Sequence, residues 1–165
     1  MREIIASIVF TLAVGGAHAH GQAASPLAGD AAAVAATVQA FFDTMAAKDV
    51  EGSRKVLAPT GRFNSVRNVD GKATVRTSAV EDYLRTLPAG KSAQRERMWN
   101  PEVRVRGDIA SVWTPYDFWI DGKFSHCGID TFNLVRSDGA WKIVDATYTV
   151  ETTGCEPSPL GPLKP

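Results

Sequence analysis

The sequence lacks an excess of charge of either sign. Its 165 residues carry 18 Lys and Arg against 18 Asp and Glu, so the formal net charge is zero. Binding to nucleic acid or to an anionic membrane surface depends on a cationic field that this chain does not have, and neither partner is expected. Hydrophobic residues make up 44% and charged residues 22%, which excludes disorder, collagen and coiled coil as descriptions of the whole chain. One ordinary globular domain is expected.

Metal ligands and phosphate-binding motifs are also scarce. The chain has three His and two Cys, and beyond His20 only His126, Cys127 and Cys155 remain. They include no short Cys or His pair of the kind that zinc sites use. A copper site at His20, exposed by cleavage after Ala19, would need further nitrogen ligands, and beyond that point only His126 remains. The glycines form no Gly-x-Gly-x-x-Gly or Walker pattern. We therefore predict no metal and no cofactor.

The first residues have the pattern of an export signal. An apolar run over 4–16 follows Met1, and the small-x-small triplet Ala17–Ala19 follows the run. The run is too short to span a bilayer, and no second hydrophobic segment exists, so no membrane span is predicted. We expect a signal peptide at 1–19, a flexible leader at 20–29 and an exported protein, periplasmic or secreted.

Helical spacing and turn residues predict the elements of the domain, which we place at 30–155, ahead of a Pro-rich tail at 156–165. A capping box at Ser78–Glu81 predicts the start of a third helix, after two N-terminal helices and a short hairpin. Dipeptides such as Asp121–Gly122 then separate long strands, which indicates an antiparallel meander. The predicted helices are 30–47, 49–57 and 78–87, and the predicted strands are 62–67, 72–76, 93–106, 109–120, 123–136 and 140–153.

This order predicts an α+β fold in which a curved antiparallel sheet wraps around three helices to form a cone with an internal pocket. The segments Val103–Val112, Gly128–Leu134 and Asp138–Ile143 resemble the nuclear transport factor 2-like superfamily, in its SnoaL-like bacterial branch, and the resemblance covers residues 30–153. The resemblance implies a pocket and frequently a homodimer formed through the sheet. The superfamily includes ketosteroid isomerase, scytalone dehydratase and subunits that only assist assembly, so it implies no particular reaction.

Two-residue turns give a strand register that places His126 opposite Asp117. On this register Asp117 would orient the imidazole, and Asp130, in an apolar setting, would be a second proton carrier. The alternative is that His126 lies at a wet rim and Asp130 only forms a hydrogen bond at a strand end. The same predicted interior face of the sheet holds three candidates for ligand binding, Trp113, Phe132 and Asp145. The fourth candidate is Tyr83 on the third helix, which would be either a hydroxyl donor to the ligand or a packed aromatic residue.

The two cysteines suggest a disulfide, because paired Cys are typical of exported chains. The register, however, places Cys155 five residues, or about 16 Å, beyond the position opposite Cys127. A bridge therefore requires the chain to reverse at Gly154, which glycine permits. Both the bonded and the free state remain open from the sequence.

Three functions are compatible with these features. The first is a pocket that binds a small, largely apolar molecule, because aromatic residues gather on one sheet face. The second is an acid/base enzyme, an isomerase, dehydratase or hydrolase, that uses His126 and Asp130. The third is a non-catalytic module for dimerisation or assembly.

Overall fold

Three helices precede and interrupt a curved sheet in the computed structural model, which describes residues 27–163. The predicted signal peptide and most of the predicted leader lie outside the described residues. The helices are α1 (Gly29–Ala47), α2 (Val50–Val56) and α3 (Val80–Thr86), and a short 3₁₀ turn (Leu87–Ala89) follows α3. No helix in this range is long and apolar enough to cross a membrane. The helix predicted at 30–47 is confirmed as α1.

Seven strands form one sheet. They are β1 (Leu57–Val69), β2 (Lys72–Ala79), β3 (Gln94–Met98), β4 (Glu102–Arg106), β5 (Ile109–Ile120), β6 (Lys123–Ser137) and β7 (Ala140–Thr149). Their order is β2-β1-β7-β6-β5, and both β3 and β4 pair with β5. Because β1 runs parallel to β7 while the other pairs are antiparallel, the sheet is mixed rather than wholly antiparallel.

Two local predictions are wrong. The strand predicted at 93–106 is two strands, because the chain breaks around Asn100, which has a left-handed φ of 47° and precedes Pro101. The capping box at Ser78 does not form, since β2 continues to Ala79 and α3 begins at Val80 without a side-chain cap.

The turns lie at the predicted positions, but two extra residues change the register. Both residues of Asp121–Gly122 and of Asp138–Gly139 have positive φ, as two-residue hairpin turns require. In β6 the extra residue is Ser125, since Phe124 pairs with Trp119 while His126 pairs with Phe118. In β7 the extra residue is Val144. Each bulge exchanges the two faces of the strand beyond it.

The concave face of the sheet packs against α1, and the core lies between them. Buried side chains of α1 meet buried side chains of the central strands, and Phe41 packs against both Phe63 and Phe132, at centroid distances of 5.5 and 6.4 Å. The helical period of the apolar residues in α1 is what brings them to one side of the helix.

The C-terminal segment is tied to the opposite, convex face. Cys127 and Cys155 form a disulfide with a Cα separation of 5.9 Å, and Gly154, with φ of +76°, reverses the chain between Glu151 and Cys155 as predicted. Farther on, the guanidinium of Arg97 donates a 2.9 Å hydrogen bond to the carbonyl oxygen of Gly161. The segment predicted as a tail is therefore attached to the outside of the sheet.

Candidate functional site

A cavity of about 260 Å³ opens between α1 and the concave face of the sheet. Much of its wall is apolar, with aromatic rings from α1, β1, β5 and β6. The apolar lining residues are Phe41, Phe42, Phe63, Phe118, Phe132 and Ala146, together with Met45 and Val150. A wall of this kind favours an apolar ligand surface, because burying such a surface against it removes both from water.

Two carboxyl groups meet inside this wall. Glu96 comes from β3 and Asp130 from β6, and their side chains are within hydrogen-bonding reach of each other. Asp130 is only 2% exposed. Burial raises the pKa of Asp130 to about 8, and burial together with the neighbouring Asp130 raises the pKa of Glu96 well above its ordinary value. The pair therefore retains a proton at neutral pH, with one carboxyl able to donate and the other to accept.

Two polar atoms of the cavity wall have no hydrogen-bond partner among the described residues. They are Oδ2 of Asp130 and the hydroxyl of Tyr83, and both are buried. Burial and the nearby Glu96 raise the pKa of Tyr83, so this phenol is a neutral donor. In contrast, the hydroxyl of Tyr116 donates a 2.6 Å hydrogen bond to the carbonyl oxygen of Thr149. The cavity wall thus holds a neutral phenol and a carboxyl that shares a proton with Glu96, so its polar groups can both donate and accept hydrogen bonds.

His126 lines the same cavity, where its ring stacks on Phe118 at a centroid distance of 4.8 Å. Its Nδ1 lies 3.0 Å from the hydroxyl of Ser125. Burial lowers the pKa of His126, and the positive charge of Arg67 lowers it further. The imidazole is therefore mainly neutral at pH 7 and can accept a proton.

The structure does not place Asp117 beside His126. The bulge at Ser125 pairs Asp117 with Cys127, and the side chain of Asp117 points to the convex face. There it is buried and accepts a 2.8 Å hydrogen bond from Nε of Arg97. The predicted role of Asp117 as the orienter of His126 is wrong for this reason.

Two predicted ligand-binding residues also lie on the convex face. Trp113 is 52% exposed. The bulge at Val144 turns Asp145 outward, where its carboxylate accepts hydrogen bonds from the amide of Asn64 at 2.8 Å and the hydroxyl of Thr147 at 3.1 Å. Phe132 and Tyr83, the other two, line the cavity.

Sequence reasoning missed Glu96 and Arg67. The alternating Arg residues beside Glu96 are typical of a solvated strand face, so the charge pattern provides no reason to place the Glu96 side chain inside the cavity. The signal that identifies it is alternation within β3, because Glu96 pairs with Phe118, which in turn pairs with His126, so all three share the concave face. Among the described residues, no group of three or more His, Cys, Asp or Glu side chains is arranged to hold a metal ion.

Comparison with known proteins relates the sequence to a family. A family model described as "Putative lumazine-binding" matches residues 29–149. No curated protein matches the sequence.

Solved structures share the fold at low sequence identity. The beta subunit of a "putative aromatic-ring-hydroxylating dioxygenase" from Novosphingobium aromaticivorans is 14% identical, with a TM-score of 0.62 over 81% of this chain and 97% of that one. A nuclear transport factor 2-like protein from Cytophaga hutchinsonii is 16% identical, with a TM-score of 0.59 over 71% and 94%. A "putative dehydratase" of the same superfamily from Streptomyces avermitilis is 18% identical, with a TM-score of 0.56 over 73% and 95%. The chain therefore has the nuclear transport factor 2-like fold predicted from its sequence.

Proposed function

We propose that this chain, which belongs to the lumazine-binding-like family matched over residues 29–149, binds a small and largely apolar molecule in its cavity. The observation that carries the proposal is a cavity of about 260 Å³ whose wall is mainly aromatic and aliphatic but also holds the polar side chains of Asp130, Tyr83 and His126. Burying an apolar ligand surface against these rings would remove both from water, and the few polar groups would fix the orientation of the ligand. The ligand thus combines an apolar body with at least one hydrogen-bonding group.

The size and chemistry of the cavity favour a planar aromatic ligand. About 260 Å³ is small for a ligand pocket, and the rings of Phe41, Phe63 and Phe132 can stack on a flat molecule. Lumazine, the compound in the family description, is a heteroaromatic ring system with N–H and carbonyl groups, and such groups match a carboxyl such as Asp130 and a hydroxyl such as Tyr83.

Native mass spectrometry of the protein purified from its source, without denaturation, tests this function. We expect a bound small molecule in the wild type, much less of it in Ala146→Leu, whose larger side chain fills the cavity, and wild-type amounts in Trp113→Ala on the convex face. A wild type without any bound molecule, or equal occupancy in both variants, would contradict the proposal and favour a module that only assembles.

A second candidate function is acid/base catalysis on the bound molecule. It is supported by the carboxyl pair, in which the protonated member can donate to a ligand carbonyl while the other accepts a proton from carbon. His126 lines the same cavity, but it lies four residues, or about 13 Å, along β6 from Asp130, so the two would act on opposite ends of the ligand.

Deuterium incorporation tests the second candidate even though the identity of the substrate is open. The purified protein is incubated in D₂O with a metabolite extract of the source cells, and wild type is compared with Asp130→Asn and His126→Gln. Catalysis predicts a labelled or newly formed metabolite that is lost in Asp130→Asn. Identical metabolite profiles for the wild type and both variants would eliminate the enzymatic candidate and leave binding alone.

Export and homodimer formation belong to the same proposal. The disulfide between Cys127 and Cys155 supports export to an oxidising compartment. Trp113 and Ile109, 52% and 62% exposed on the convex face, support a dimer through the sheet. Light scattering that shows a dimer for the wild type and a monomer for Trp113→Glu would support that interface, whereas a monomeric wild type would contradict it.

A further inference from the structure

A second cleft of about 400 Å³ continues from the cavity along the β1–β2 hairpin. The two share four lining residues, among them Arg67 and Tyr148. The pairing of Ser65 with Arg76 in this hairpin, and the alternation of side chains along both strands, bring Arg67 and Arg76 to the same concave side. A ligand that fills the cavity can therefore extend into the cleft.

The cleft is cationic and its charges are unused. Within residues 27–163, neither Arg67 nor Arg76 forms an ion pair, and both are exposed. The acidic residue that lines the cleft, Asp82, is paired with Arg85 at 2.7 Å. The hydroxyl side chains of Ser65, Ser78 and Tyr148 also line it. Two free guanidinium groups beside hydroxyl donors have the chemistry that binds an oxyanion.

We propose that the ligand carries an anionic end, a carboxylate or a comparable oxyanion, which Arg67 and Arg76 bind in the cleft while the apolar body occupies the cavity. This inference rests on the proposed binding function and specifies the class of ligand. Arg67 lines both spaces, and its charge already acts on His126 in the cavity wall. Its guanidinium is therefore placed where the two parts of such a ligand would join.

Two fluorescent probes that differ by one anionic group test the inference. The neutral probe is 1-anilinonaphthalene, and the anionic probe is its 8-sulfonate. We expect the wild type to bind both, and to bind the sulfonate about five- to tenfold more tightly at low ionic strength. Arg67→Gln should remove most of that preference, measured as the ratio of the two affinities, because loss of the positive charge weakens binding of the sulfonate more than binding of the neutral probe. The double variant Arg67→Gln/Arg76→Gln should remove it entirely.

Controls separate the failure of this inference from the failure of the binding function. Arg62→Gln, an exposed arginine on the convex side of β1, should bind both probes like the wild type. Displacement of the sulfonate by the neutral probe shows that both use one site. Binding of the neutral probe without a preference for the sulfonate, or a preference unaffected by Arg67→Gln, overturns this inference and leaves the binding function standing. Binding of neither probe by the folded wild type counts against the binding function itself.

Discussion

Glu96 and Asp130 bring their carboxyl groups together inside the cavity from β3 and β6, two strands that are separated in the sheet by β5. The twist of the sheet brings the two strands around the same cavity. Burial and their mutual proximity raise the pKa of both carboxyl groups, so the pair retains a proton at neutral pH. Ionising the pair at high pH should therefore lower the stability of the folded protein.

The first prediction concerns the pH dependence of stability. In the unfolded chain Asp130 releases its proton near pH 3.8, whereas the folded protein holds it to about pH 8. The unfolded state is thus increasingly favoured as the pH rises between these values, and the free energy of unfolding falls. Asp130→Asn removes this loss. We expect the stability advantage of the variant over the wild type to grow as the pH rises from 5 to 8.5, by up to about 4 kcal/mol at about 1.4 kcal/mol per pH unit.

Urea unfolding at several pH values measures this difference. Glu96→Gln is the matched variant and should change the profile in the same direction, because it removes the other member of the pair. A difference between wild type and Asp130→Asn that does not vary from pH 5 to pH 8.5 would show that the two carboxyl groups are not coupled in a buried site.

The second prediction concerns the titration of His126. Burial and the charge of Arg67 lower the pKa of the imidazole, so its titration midpoint should lie below the ordinary value of 6.5. Arg67→Gln should raise that midpoint part of the way back, since it removes the second of these causes. Two-dimensional NMR of the imidazole, assigned with His126→Gln, measures both. A midpoint above 6.5 in the wild type would be inconsistent with a ring buried against Phe118.

The third prediction concerns the crossing of Tyr116 over Gly128. A methyl group at position 128 would collide with the carbonyl oxygen and hydroxyl of Thr149 and with the ring of Tyr116. Gly128→Ala should therefore lower the free energy of unfolding by about 2 to 4 kcal/mol. In Gly90→Ala the nearest atom is 3.4 Å away, so this control should stay close to the wild type. Equal stability of the two variants in thermal unfolding would refute the close packing of these strands.

The fourth prediction concerns the disulfide. It links residues 28 positions apart, and its loss in Cys155→Ser should cost about 3 to 4 kcal/mol of stability, because the unfolded chain regains the freedom of that loop. Thiol titration in denaturant without reductant should find no free thiol in the wild type and one in Cys155→Ser. Two free thiols in the wild type would show that the bond does not form.

How far the sequence predicts this molecule depends on the kind of residue. The helix of Phe41 and the turn at Asp121–Gly122 follow from local patterns of spacing and backbone preference, which one sequence records. The bulges at Ser125 and Val144 leave no such pattern. The types of the surrounding residues do not reveal that one residue is inserted, and therefore do not reveal that the pairing beyond it shifts to the other face of the sheet. This is why the sequence predicts Asp130 and His126 in the cavity correctly but wrongly predicts Asp117 and Asp145 there.

Glu96 escapes prediction for a different reason. Its neighbours Arg95 and Arg97 give β3 the charge pattern of a solvated strand, yet Arg97 is held on the convex face by Asp117. The partner of each charge depends on tertiary pairing, which composition does not record.

Fluorescence titration of 1-anilinonaphthalene with the wild type and with Ala146→Leu decides whether the cavity between α1 and the sheet is the binding site, with the folding of both proteins checked by thermal unfolding. We expect saturable binding by the wild type, with affinity at least about tenfold weaker in Ala146→Leu, since the added side chain occupies the cavity. Trp113→Ala should bind like the wild type. Equal affinity of wild type and a folded Ala146→Leu would contradict the claim that this cavity is the binding site.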